Sequence, residues 1–337
     1  MRLIHYRSAI PNFGDDLNAI LWPALLPDFF DDDAPDGFVG IGTLIGMPVP
    51  GTGRLTVFSS GAGYDALSGW QGRAVTYACV RGPVTARLLG LGPEAALTDG
   101  AILAPLTPGF PDAGGGGDET LVVPHVQSLA FNGWDEAARL AGFGLVDPRD
   151  PPEAVVARIA RAGLVLTESL HGAIIADSYG VPWIGFASSK NFGATKWVDW
   201  RLSLDETPRF HILPPPDARA WLRFGRPAWP LGAAVELDAE QAMAAFAARV
   251  APAAGALGWR QRLKRLAAGS AAGRALLGCS PARTAAALTA LSLTARPCGS
   301  RRGLREELQE RMLARLRAFT RPSHPRALRH DVISGAK

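Results

Sequence analysis

Cysteine, clustered metal ligands, nucleotide-binding glycine fingerprints and long apolar runs are all scarce in this sequence, and each shortage removes a class of function. The three cysteines, Cys79, Cys279 and Cys298, lie far apart, which argues against a disulfide framework and against a thiolate metal site. No His/Cys/Asp cluster has metal-ligand spacing, so no metal is expected. A P-loop is excluded because G-x-x-x-x-G-K-[ST] does not occur. Gly40–Gly46 reads GIGTLIG, which is G-x-G-x-x-x-G and not the dinucleotide fingerprint, and the acidic residue expected downstream is missing. A nicotinamide enzyme is therefore not expected. No run approaches the roughly 18 apolar residues of a spanning helix, and the opening residues do not read as a signal peptide. This leads to an expected cytoplasmic location. The late arginines have neither interleaved aromatics nor a recognition motif, so nucleic acid is not an expected partner.

What is present suits a large α/β enzyme. The chain has 337 residues, 47% of them hydrophobic, and a net charge of +4, enough to bury a full core and build two domains. Its most informative stretch is Gly163–Phe186, GLVLTESLHGAIIADSYGVPWIGF. Leu164–Leu166 has the composition of a buried parallel strand. Thr167, Glu168 and Ser169 end it, His171 opens a packed helix, and Gly180 and Pro182 close that helix before a second strand. The reactive side chains thus fall at the carboxyl end of a strand, where open α/β sheets bind ligands.

The same pattern recurs along the chain. Met1–Tyr6 is a strand candidate leading into Asn12-Phe13-Gly14-Asp15-Asp16. The two acids suit a helix N-terminus, or one of them faces a crevice. Leu55–Ser59 ends in Ser60-Gly61-Ala62-Gly63, a glycine turn that lets a ligand approach the backbone. Arg81-Gly82-Pro83 sets a cation beside free helix amides, suited to phosphate or carboxylate, or Arg81 pairs with an acid. Pro105–Gly117 reads as a flexible linker, and Leu121–Val123 restarts a second half whose strand ends at His125, a structural or a binding histidine. Lys196 is a candidate anion partner and Trp197 or Trp200 a sugar platform, unless that loop is simply packed. These features give two Rossmann-like α/β domains facing a cleft, residues 1–110 and 118–250, followed by a basic helical tail, 251–337. In the tail, Trp259–Arg265 begins the arginine-rich part. Leu304, Leu308, Met312, Leu316 and Phe319 share a helical face opposite Arg305, Arg311, Arg315 and Arg317. That face either lies on an anionic membrane surface or packs on its own domain.

Taken together in this order, Asn12–Asp16, Gly40–Gly42, Ser60–Gly63, Arg81–Pro83, Thr98–Gly100 and Ser169-Leu170-His171-Gly172 resemble the polysaccharide pyruvyl transferase family, in its bacterial exopolysaccharide branch. The resemblance spans roughly Met1–Leu204. It implies a glycosyltransferase B-like fold, phosphoenolpyruvate as donor substrate with no cofactor, and a glycan diol, free or lipid-linked, that becomes a pyruvate ketal. Family members often carry arginine two residues before the histidine, where this chain has Ser169; Arg81 and Lys196 would then supply the positive charge. His171 is the expected acid/base, with Asp15 and Glu168 orienting or activating the acceptor. Arg81, Ser169, His125, Lys196, Asn12, Gly14, Asp16, Gly61 and Trp197 form the expected binding set. The competing readings are a nucleotide-sugar glycosyltransferase and a non-catalytic, membrane-associated subunit of glycan assembly; the expected location is the cytoplasm, free or peripheral on the inner face of the plasma membrane.

Overall fold

Short apolar runs form most of the strands, and a computed structural model describes residues 1–51, 53–112, 114, 116–251 and 278–320. In the first half, β1 (Arg2–Ile4), β2 (Gly37–Val39), β3 (Leu55–Phe58) and β4 (Val75–Cys79) lie parallel in the order β1-β2-β3-β4. Helices α1 (Phe13–Asp16), α2 (Asn18–Leu25) and α3 (Pro83–Leu88) accompany them. The order never reverses, so this sheet has no topological switch point and departs from a doubly wound unit.

The second sheet does reverse. It contains β5 (Thr120–Val123), β6 (Gly144–Leu145), β7 (Leu164–Thr167), β8 (Trp183–Ala187), β9 (Arg209–Ile212) and β10 (Ala234–Glu236), in the order β10-β9-β8-β7-β5-β6. All neighbours are parallel except β10 on β9. From β5 the chain steps outward to β6 and then returns to the other side as β7, which puts the switch point between β5 and β7. The helices of this half are α4 (Trp134–Ala141), α5 (Pro152–Ala160), α6 (Leu170–Ser178), α7 (Ala194–Ser203), α8 (Arg219–Phe224) and α9 (Ala239–Val250), followed by α10 (Pro281–Thr294) and α11 (Arg302–Thr320).

A single apolar cluster runs through both halves, from Phe13, Trp22 and Phe38 to Val165, Ile174 and Trp183. A second contact joins α3 to α7 and α9 through Val84, Val198 and Ala242. Within the glycine-rich stretch expected to link the halves, Ala113 and Gly115 lie outside the described residues.

The last described helix decides between the two readings of its apolar face. Leu308, Met312 and Leu316 of α11 are buried, and Leu304 and Phe319 pack against the same shared core. Phe319 meets the rings of Phe29 and Phe38. Arg305 donates to the Asp177 carbonyl in α6, while Arg315 donates to the Ala78 carbonyl in β4. The apolar face, left open in the sequence between a membrane and the protein's own core, therefore straps the two halves together, and two of the helix's arginines are spent on backbone carbonyls. Trp259–Arg265 and residues 321–337 lie outside the described residues. Among those described, no helix is long and apolar enough to cross a membrane.

Candidate active site

The two strands that flank the switch point deliver the two histidines. β5 ends at Val123 and Pro124 turns the chain so that His125 follows; β7 ends at Thr167, and α6 begins at Leu170 with His171 in its first turn. Ser169 is the N-cap, its Oγ accepting from Gly172 N at 3.4 Å. Both histidines line a cleft of about 470 Å³ together with Asn12, Asp15, Arg81, Ser169 and Lys196, seven of the expected residues in one place. The rim adds Tyr6, Thr43, Tyr64, Gln127, Asn191 and Arg249.

Glycine at position 14 is what lets the first half reach His171. A Cβ there would sit 2.0 Å from His171 Nδ1 and 2.5 Å from Cγ, closer than any side chain tolerates. The Phe13 ring meets the imidazole edge-on, with centroids 6.5 Å apart. The neighbouring acids divide the labour that the sequence left open between them. Asp16 accepts from the Asn12 backbone N at 3.0 Å, whereas Asp15 faces the cleft and accepts from Asn12 Nδ2 at 2.6 Å.

Electrostatics set the protonation states. Burial, then the charges of Lys196 and Arg81, push His171 down to about 3. Burial, then Lys196 and Arg249, push His125 down to about 3 as well. Both imidazoles are thus neutral near pH 7. The His125 Nδ1 accepts from Gln127 N at 3.2 Å, so in the neutral ring the proton belongs to Nε2. Among the described residues His171 Nε2 has no partner. Burial raises Asp15 to about 6, against the opposing pull of the Asn12 hydrogen bond and Lys196.

Three expectations change. Glu168 is not part of the cleft lining: it is 2% exposed and its carboxylate accepts from His125 N, Ser128 Oγ, Ser188 N and Ser188 Oγ. It ties β5, β7 and β8 together behind the histidines and is saturated, so it positions His125 and has no lone pair to spare for an acceptor. Trp197 is 1% exposed and Trp200 2%, packed against Trp183 and Phe192, which removes both as sugar platforms. Arg81 lines the cleft but is fully buried and committed. Its Nε donates to Asp199 Oδ2 at 3.0 Å, Nη1 to Thr43 Oγ1 and the Gly42 carbonyl, and Nη2 to the Ala62 carbonyl. Asp199 also accepts from Thr85 N and Oγ1, so this network pins α7 to the first half and leaves Arg81 a single N–H for a ligand. Gly61 serves it indirectly, since a Cβ there would strike the guanidinium at 2.2 Å.

The missed rim residues differ in how visible they were. Tyr64 directly follows the glycine turn, and Gln127 and Asn191 sit in the loops after β5 and β8, joined by a 2.8 Å hydrogen bond. Arg249 carries no signal at all, being one cation in an alanine-rich helix. Among the described residues no group of His, Cys, Asp and Glu could hold a metal ion.

Comparison with known proteins gives the family. The family model of polysaccharide pyruvyl transferase matches residues 115–190, the segment that carries β5, β7, both histidines and the switch point. Succinoglycan biosynthesis protein ExoV of Rhizobium meliloti (strain 1021) is 33% identical over 221 residues, covering 64% of this chain and 68% of that protein. No solved structure matches the chain. On the strength of that identity and coverage, the chain belongs to the polysaccharide pyruvyl transferase family.

Proposed function

We propose that this protein transfers the pyruvyl group of phosphoenolpyruvate to two hydroxyls of a glycan in exopolysaccharide biosynthesis, forming a pyruvate ketal and releasing inorganic phosphate. The observation that carries the reading is the convergence, in one cleft, of two neutral histidines, a carboxyl raised to about 6 and the cations of the rim. The reaction asks for that set. A proton must reach the vinyl CH2 carbon, a hydroxyl must add to the adjacent carbon as it loses its own proton, phosphate must depart, and a second hydroxyl must add in the same way.

His171 is assigned the proton transfers. It is neutral because burial, and after it the charges of Lys196 and Arg81, disfavour the imidazolium. A bound polyanion offsets the part of that shift owed to the two cations, so the imidazole gains basicity when donor is present. Ionised Asp15 takes the acceptor hydroxyl proton, and His125 Nε2–H donates to developing charge. The Ser169 hydroxyl and the last Arg81 N–H suit the donor carboxylate. With Trp197 buried, Tyr6, 48% exposed at the rim, offers its ring to the sugar. The two α/β sheets facing one cleft are compatible with a glycosyltransferase B-like plan, which remains part of this proposal.

The test is donor selection followed by turnover. Phosphoenolpyruvate should raise the unfolding temperature and a nucleotide sugar should not. His171→Gln should keep the fold and lose ketal formation by roughly 100-fold or more, as expected for a general acid–base group. Stabilisation by nucleotide sugar alone, or near wild-type turnover in the variant, would reject the assignment.

A further inference from the structure

Two cations in this cleft form no ion pair among the described residues. Lys196, from the first turn of α7, and Arg249, from the last turn of α9, both lie over the Tyr64 ring, at 5.3 Å and 4.6 Å from its centroid. Neither belongs to any ion pair of the described residues. The carboxylates lining the cleft are Asp15 and Asp65, and neither reaches ion-pair distance of them. Arg81 cannot take their place, since Asp199, Thr43 and the Gly42 and Ala62 carbonyls hold its guanidinium.

The position of this pair matters as much as its charge. Lys196 bears on His125, His171 and Asp15, and Arg249 bears on His125, so both cations face the reactive groups. A carboxylate monoanion needs one such cation. A phosphate monoester, with about −1.5 to −2 charges near pH 7, is matched by two, one of them a guanidinium fork that can grip two oxygens. Tyr64 fixes the approach of both side chains, which lowers the cost of ordering them around a ligand.

We propose that Lys196 and Arg249, set on Tyr64, form a phosphate-binding subsite at the mouth of the cleft that holds the donor's phosphate and the inorganic phosphate released from it. The identity of the donor rests on the pyruvyl-transfer reading above; the subsite itself does not.

Inorganic phosphate is the probe, because its binding can be measured by calorimetry with no turnover. The full-length protein should bind it in a salt-sensitive manner, as expected where one partner is exposed. Arg249→Gln removes a charge from an exposed side chain and should weaken phosphate binding roughly tenfold or more, the scale of a lost charge-assisted hydrogen bond. Tyr64→Leu should weaken it less. Phosphate affinity indifferent to both Arg249→Gln and Lys196→Gln would overturn the proposal. Saturating phosphoenolpyruvate should displace phosphate. If phosphate instead binds alongside phosphoenolpyruvate, the pair serves a phosphate on the acceptor and the donor assignment falls. If phosphate binds through the pair while no pyruvyl transfer occurs with any acceptor, the subsite stands and the functional reading is what fails.

Discussion

At Asp15 a single carboxyl couples function to stability. It holds its proton more tightly in the folded chain, at about 6, than in the unfolded chain, at 3.8, and burial is the main cause. The contribution to stability is therefore present in full below 3.8 and is lost as pH rises through about 6. At pH 8 the ionised group costs up to about 3 kcal/mol. Asp15→Asn should then be more stable than wild type at pH 8, equal to it near pH 4, and poor in turnover at both; chemical unfolding at the two pH values checks this. The histidines act with opposite sign. Their folded values of about 3 lie below 6.5, so the stability they confer is present above 6.5 and drains away as pH falls toward 3. Part of this was readable in the sequence. His171 and Lys196 stand out because polar residues break apolar runs where strands end. Glu168 and Ser169 did not separate, because the direction in which each residue of a short polar run points depends on neighbours such as Ser128 and Ser188 that are distant in sequence.

Between elements, the decisive contact is α1 against the start of α6. Gly14 gives the imidazole its place, and the nearest atoms an alanine methyl would meet all belong to His171. Alanine also favours the helix over glycine by up to about 1 kcal/mol, so the substitution should cost little stability overall while pushing the ring aside. Gly14→Ala should lower turnover roughly 100-fold, the penalty of a misplacement near 1 Å, and shift the unfolding midpoint only slightly. A variant with wild-type turnover would show that His171 need not sit where it does. The motif Asn12–Asp16 announced a helix start in the sequence, yet the reason for its glycine could not be read there, since His171 lies 157 positions on. The parallel strands β3, β5, β7 and β8 were legible from their apolar runs. β9 and β10 were not, because RFHI and AVE are short and half-polar, and only pairing, of β9 with β8 and of β10 with β9, makes them strands. The switch point was likewise invisible, as strand order is a property of the sheet.

The molecule as a whole depends on α11 for its closure. An amphipathic helix states that one face is covered but not what covers it, which is why a bilayer and a protein core looked alike in the sequence. The structure gives the cover: Leu308, Met312 and Leu316 are at most 2% exposed, and Met312 Sδ lies 3.9 Å from Cys79 Sγ. Gln309 adds a hydrogen bond to the Ile102 carbonyl at 3.0 Å. Cutting back one such buried residue to alanine costs about 2–5 kcal/mol. Removing all three consumes most of the roughly 5–15 kcal/mol by which a domain is stable. Deleting Gly303–Lys337 should therefore abolish cooperative unfolding and expose apolar surface that binds a hydrophobic dye, with loss of turnover although every proposed site residue remains. Leu308→Ala should show the same effect in miniature, lowering the unfolding temperature while the active site is untouched. Vesicles separate this from the membrane reading. The intact protein, with α11 folded in place, should bind anionic vesicles no better when Leu308 or Leu316 is present than when either is alanine. A truncated protein that stays folded and active, and leaves vesicles that the intact protein occupies, would return the helix to the membrane.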